Sequence, residues 1–140
     1  MRLWHKDLIS VLPRQQLLGQ IREVTLIMKN ILVVGKPNHI LVNEIMNYNM
    51  SHFYNYCELL KEEMNKRNYK ISDRTLLKWS TFFSQYKIKK IEFSDIFESW
   101  HEKLYLKMCY YNLLEKFMCG GIKAEEFEKI RIKIMFLGGI

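Results

Sequence analysis

With two prolines and six glycines in 140 residues, the chain has few helix breakers and few turn formers, which leaves little room for anything but helix. Its three cysteines, Cys57, Cys109 and Cys119, are an odd count without a C-x-x-C pair. Neither a disulfide framework nor a cysteine zinc site is expected, and the thiols read as buried or free in a reducing cytoplasm. The longest apolar run, "ILVVG" from Ile31, is far too short to span a bilayer, and no basic-then-apolar leader marks the chain for export, so it is expected off the membrane. Acidic residues are also outnumbered. Against 15 Asp and Glu stand 22 Lys and Arg, a net +7 that favours an anionic partner such as nucleic acid.

What is present is apolar spacing of three and four, which predicts an all-α fold: one compact domain over 1–140, a bundle of about six helices. Asp7 to Leu12 makes a short helical turn. Pro13 suits the first position of the next helix, where a missing N–H costs nothing, and Leu17, Ile21, Val24 and Met28 form that helix's core stripe. "KNILVVGKPN", from Lys29, reads as the connection that follows. A third helix, His39 to Tyr48, offers Ile40, Ile45 and Met46 for burial. Ser51, Ser72 and Ser94 are expected to cap three more helices, with Phe53, Leu59, Leu60 and Met64 inward on the first. Gly120 and Gly121 should end the last of these, and a final helix from Ala124 to about Phe136 carries Phe127, Ile130 and Ile134.

Opposite the core stripe of the second helix, Gln16, Gly19, Gln20 and Glu23 form a polar face. A mid-helix glycine costs roughly 1 kcal/mol relative to Ala. Either another helix packs closely on Gly19 or a ligand backbone approaches it, and local sequence favours packing.

The remaining constellations have bland readings. His5, His39, His52 and His101 share no ligand spacing. Glu98 and His101 stand at i and i+3, but a helical di-iron site needs two such elements and two further carboxylates, so no metal is expected. Cys57 lies among aromatics with no cation near it in sequence, which suits a structural thiol better than a nucleophile. Lys66 with Arg67, the lysines of "YKIKK", and Lys129, Arg131 and Lys133 are ordinary surface clusters that together could track a phosphate backbone. Taken alone, Glu23 beside Arg22 is a solvated ion pair.

"MRLWHKDLISVLPRQQLLGQIRE" resembles the N-terminal signature of the pyrimidine-dimer DNA glycosylase family, with Ser10, Leu12, Gln15, Leu17, Arg22 and Glu23 in register. A second stretch, "NHILVNEIMNYNMSHFYNYCELLKEEMNKRNYKI" from Asn38, follows the family's histidine-led helix, its long helix and a Lys-Arg-x-aromatic turn. Together they cover roughly the first half of the chain.

The resemblance implies an all-helical domain whose N-terminal α-amine attacks C1′ of a damaged nucleotide, forms a Schiff base and nicks the strand by β-elimination. Arg2 is not a small residue, so Met1 should be retained and carry the amine. A one-residue slip aligns Arg2 with the family's early arginine, and Glu23 matches the carboxylate that positions the amine and stabilises charge on the sugar. The expected catalytic group is therefore Met1, Arg2 and Glu23, and the expected DNA-binding residues are Arg14, Gln15, Gln16, Arg22 and His39. Double-stranded damaged DNA is the implied partner, bound by a cytoplasmic monomer without metal or small-molecule cofactor. An α-amine with a pKa of about 7.7 to 8.0 is roughly a tenth neutral at pH 7, far more than a lysine near 10.4.

The chain also departs from the family. Leu26 stands where an arginine follows the carboxylate, Val24 and Thr25 replace a pair of cysteines, and "IMFLGGI" lacks the aromatic C-terminal patch. The missing C-terminal aromatics favour an alternative, a non-catalytic basic helical domain of the same fold that binds DNA or a protein partner.

Overall fold

A computed structural model describes residues 2–34 and 39–139 of the chain. Among them are six α-helices and no strand: α1 (Arg14–Val34), α2 (Ile40–Asn43), α3 (Met50–Lys66), α4 (Asp73–Phe83), α5 (Lys103–Met118) and α6 (Ala124–Phe136). Three 3-10 turns, Lys6–Val11, Glu44–Asn47 and Phe93–Asp95, join them. The apolar faces meet in one core cluster around Leu8, Leu17, Ile27, Phe53, Tyr56 and Phe97.

α1 is longer than its sequence suggests. Helix continues through Lys29 to Val34, because Ile31 follows Ile27 by four residues and Met28 by three, and so extends the buried stripe of Leu17, Ile21 and Val24. Burial outweighs the weak helix propensity of a β-branched run. Residues 35–38 of the expected connection lie outside the described residues. Pro13 stands one place ahead of its expected position, its carbonyl accepting the first helical bond from the Leu17 N–H. Thr25 ties α1 to α4 by accepting a 2.8 Å bond from Trp79 Nε1.

The cap of α3 is Asn49, whose Oδ1 accepts the Ser51 N–H, and not Ser51 itself. Ser51 is buried one position inside the helix, where its hydroxyl accepts the Lys89 N–H and pins the segment after α4. Ser72 caps α4 as expected. In the histidine-led helix, split between α2 and a 3-10 turn, Ile45 is buried while Ile40 and Met46 are exposed.

No helix starts at Ser94. The carbonyls of Ser94 and Ile96, which such a helix would commit to its own ladder, accept bonds from the buried Lys6 ammonium at 3.0 and 2.8 Å. The Phe97 N–H goes to His52 Nδ1, and Phe97 and Ser99 take positive φ. These competing partners hold residues 96–102 in turns and delay α5 to Lys103. Glu98 and His101 therefore do not share a helix face. α5 ends as its glycines predict: Gly120 takes φ +83°, its N–H bonds the Phe117 carbonyl, and the Gly121 N–H bonds that of Lys116. α6 buries Phe127, Ile130 and Ile134 as expected.

Candidate active site

Residues 2–5 form no helix, so their backbone groups need outside partners, and buried side chains supply them. Gln20 is the main one, 1% exposed. Its Oε1 accepts the Trp4 N–H at 2.8 Å and the Tyr56 hydroxyl at 3.2 Å, while its Nε2 donates to the Arg2 carbonyl at 2.9 Å. The Tyr56 hydroxyl also donates to the Trp4 carbonyl at 2.6 Å, and the Tyr105 hydroxyl donates to that of Leu3. Burial raises the pKa of both phenols, which keeps them protonated as donors. One turn after Gln20, the half-buried Glu23 accepts the Arg2 N–H through Oε2 at 3.1 Å.

The next stretch is held the same way. His101 Nδ1 accepts the Lys6 N–H and His5 Nδ1 accepts that of Asp7, each at 3.0 Å. The two imidazoles stack at 5.0 Å between centroids. Burial, the neighbouring His5 and Lys6 hold His101 down to about 2, and burial also lowers His5. Both rings are therefore neutral at pH 7, and the 3.8 Å approach of His5 to Asp7 is no ion pair.

Of the expected catalytic group, the structure brings Arg2 and Glu23 together; Met1 lies outside the described residues. The Arg2 guanidinium lies 5.9 Å over the Trp4 ring, with Nη1 buried and unbonded among the described residues. Helical spacing puts Gln15, Gly19, Arg22, Glu23 and Leu26 on one side of α1, with Gln16 half-buried at its edge and its Oε1 unbonded. Arg14 is turned away from this side: its backbone N–H bonds Glu126 and its guanidinium lies 5.5 Å over the Tyr69 ring. His39 is half-buried beside α2, with Nδ1 unbonded among the described residues and no hydrogen bond to Glu23.

Among the described residues no other element packs on Gly19: a Cβ there would meet only Arg22 Nη2, at 3.7 Å, which speaks against the packing reading of this glycine. Beside it runs a cleft of about 560 Å³ between α1 and α4, with an apolar floor including Leu26, Leu32 and Leu77 and a rim of Arg22, Lys29 and Lys78. A larger cleft of about 860 Å³ lies across α3, along Tyr54, Lys61 and Trp79, and holds none of the expected site residues.

Two basic residues serve the fold. Lys6 is buried on carbonyls, and Arg67 bonds Glu63 and the carbonyls of Leu12, Ile9 and Ser10, closing the 3-10 turn Lys6–Val11. Arg131 is paired with Glu128. The three thiols are unpaired; burial pushes Cys57 and Cys109 up, away from thiolate. Among the described residues no group of three His, Cys, Asp or Glu side chains could hold a metal ion, and no helix is long and apolar enough to cross a membrane.

Gln20, Tyr56, Tyr105 and His101 escape sequence reasoning as site residues. For Gln20 a signal exists: it follows Leu17 by three and precedes Val24 by four, which is core spacing for a polar side chain. The tyrosines and His101 reach the terminus from 52 and 95 or more residues away, and nothing local marks them.

No curated protein and no solved structure matches the chain. Residues 1–76, more than half of the 140 and including every residue of the Arg2–Glu23 arrangement on α1, match the family described as pyrimidine dimer DNA glycosylase, and the chain belongs to that family.

Proposed function

We propose that the protein is a DNA glycosylase and AP lyase acting on pyrimidine dimers or related damage in double-stranded DNA, with the α-amine of Met1 as nucleophile and Glu23 as its carboxylate. The observation that carries this reading is the 3.1 Å bond from the Arg2 N–H to Glu23, which sets a carboxylate one residue from that amine. Gln20 and Tyr56 support it by fixing the backbone of Arg2 to Trp4, the residues next to that amine, before substrate arrives.

In this mechanism the neutral amine attacks C1′ as the glycosidic bond breaks and the base departs. Loss of a proton and ring opening give the Schiff base, and removal of a C2′ proton then expels the 3′ phosphate. Glu23 holds the amine, stabilises positive charge on the sugar and carries protons between these steps. Arg2 adds positive charge beside the reacting sugar. Arg22, Gln15 and Gln16 form the DNA face with the open flank of Gly19, and His39 extends it, whereas Arg14, turned toward Tyr69, has no part in it. The duplex must bend and extrude a base, at a cost of a few kcal/mol that is lower at a damaged step. One domain of 140 residues performs this as a cytoplasmic protein, without metal or cofactor, and a single copy carries the whole site.

A second reading is a non-catalytic domain of the same fold that binds DNA or a protein through its basic face. It is favoured by Leu26, an exposed leucine on the Glu23 side of α1 where the family has arginine. Borohydride trapping on an abasic-site duplex separates the two. The first reading expects a covalent adduct that maps to residue 1 and is lost in Glu23→Gln. DNA binding with no adduct from the parent protein would establish the second.

A further inference from the structure

α5 is apolar on two sides. Tyr105, Leu106, Cys109 and Leu113 face the core, while Leu104, Met108, Tyr111 and Met118 are 72, 49, 54 and 76% exposed. With Glu115, the exposed set steps by 4, 3, 4 and 3, the spacing of a helix-pairing seam. Single exposed apolar residues are ordinary, but a continuous stripe marks a contact surface. A Cβ on Gly138 would lie 3.8 Å from Lys103 Nζ, so the end of α6 sits beside the start of α5. There Ile132, Met135 and Phe136 are exposed as well.

We propose that this face pairs with the same face of a second copy, α5 against α5, antiparallel about a two-fold axis at Tyr111. The face is self-complementary. Leu104 and Met118 lie seven residues to either side of Tyr111, and Lys107 and Glu115 lie four to either side. An antiparallel pair about that point sets Leu104 against the second copy's Met118, Tyr111 against Tyr111, and Lys107 against Glu115, twice over. Neither Lys107 nor Glu115 has an ion-pair partner among the described residues. A parallel pair would instead oppose Lys107 to Lys107 and Glu115 to Glu115, which is repulsive, and would align the two helix dipoles unfavourably.

Sixteen residues of α5 give a seam about 24 Å long. Even with the α6 residues this falls at the low end of the roughly 800 Å² per partner of a standard interface. The dimer is therefore weak, with a dissociation constant of about micromolar or above. Tyr105, which bonds Leu3, is buried on the core side of α5 and is not part of this stripe. The proposal does not depend on the catalytic reading.

The test is sedimentation equilibrium of the full chain across a micromolar-to-millimolar series. The parent protein is expected to pass from one chain to two. Lys107→Glu and Glu115→Lys should each raise the dissociation constant roughly tenfold, about 1.4 kcal/mol, and the double swap should return it close to the parent value. None of the three positions changed, Lys107, Glu115 and Leu104, lies in the core, so circular dichroism should show parent-like helix content. Leu104→Glu should abolish pairing. A parent that stays single at every concentration overturns the proposal, as does a dimer indifferent to Leu104→Glu or one that the double swap fails to restore.

Discussion

Gly19→Ala separates what the fold needs from what a ligand needs. The residue lies inside α1, where Ala is better than Gly by about 0.8–1.0 kcal/mol, through lower backbone entropy in the unfolded chain and less exposed backbone in the helix. Nothing among the described residues opposes the added methyl. Its nearest neighbour would be Arg22 Nη2 at 3.7 Å, an ordinary contact with the far end of a flexible side chain. For a chain of this size the gain should raise Tm by about 3–5 °C. The same methyl would project from the side of α1 that carries Arg22 and Glu23, and would hold an approaching DNA backbone away from that carboxylate. A 1 Å misplacement at a reacting centre can cost about 10²-fold in rate, so trapping on an abasic duplex should slow by tenfold or more in a protein that is more stable than its parent.

Thermal unfolding followed by circular dichroism, and single-turnover borohydride trapping at saturating protein, read the two effects separately. A stabilised variant that traps as fast as the parent would refute the ligand role of Gly19. A destabilised variant would refute the packing argument, because it would mean that something occupies the space the structure leaves open.

Three other outcomes follow from the clamp on the terminus and from its histidines. Gln20→Met keeps the shape but leaves the Trp4 N–H and the Arg2 carbonyl unmet, at about 1–3 kcal/mol for each group that stays buried; Tm should fall, and adduct formation should fall further than DNA affinity measured by fluorescence anisotropy. A parallel loss of both would mean that Gln20 serves only the fold. His101 is held at about 2 in the folded protein against 6.5 when unfolded, so the unfolded chain takes up the proton first as pH falls. Stability from this group is complete above pH 6.5 and drains by up to about 1.4 kcal/mol per pH unit below it. Denaturant midpoints measured from pH 7 to 4 should decline accordingly, with a shallower slope in His101→Asn; equal slopes would count against a neutral buried His101.

The parts of this structure that are legible in the sequence are those set by nearest turns. Ser72, the Gly120–Gly121 stop and the stripe of α6 depend on residues within five places of one another, and each stands where the spacing puts it. The largest error arises where a distant group competes for a local bond. Ser94 is as good a cap by type as Ser72, yet the lysine 88 residues before it takes its carbonyl, and the backbone of that lysine is held in turn by His101. The same rule governs the site. Glu23 and Arg2 are 21 residues apart and their meeting is implied by family likeness alone, while Gln20, which makes that meeting possible, is disguised as one more polar residue on an exposed face. Its core spacing gives it away once the helix is placed. A glutamine at such a position has to satisfy both an acceptor and a donor in a space without water, and unpaired backbone of a non-helical segment is what offers both. A buried amide on a helix, next to an unstructured chain end, is therefore a reason to look for an ordered terminus, and an ordered terminus beside a carboxylate is a reason to look for chemistry at its amine.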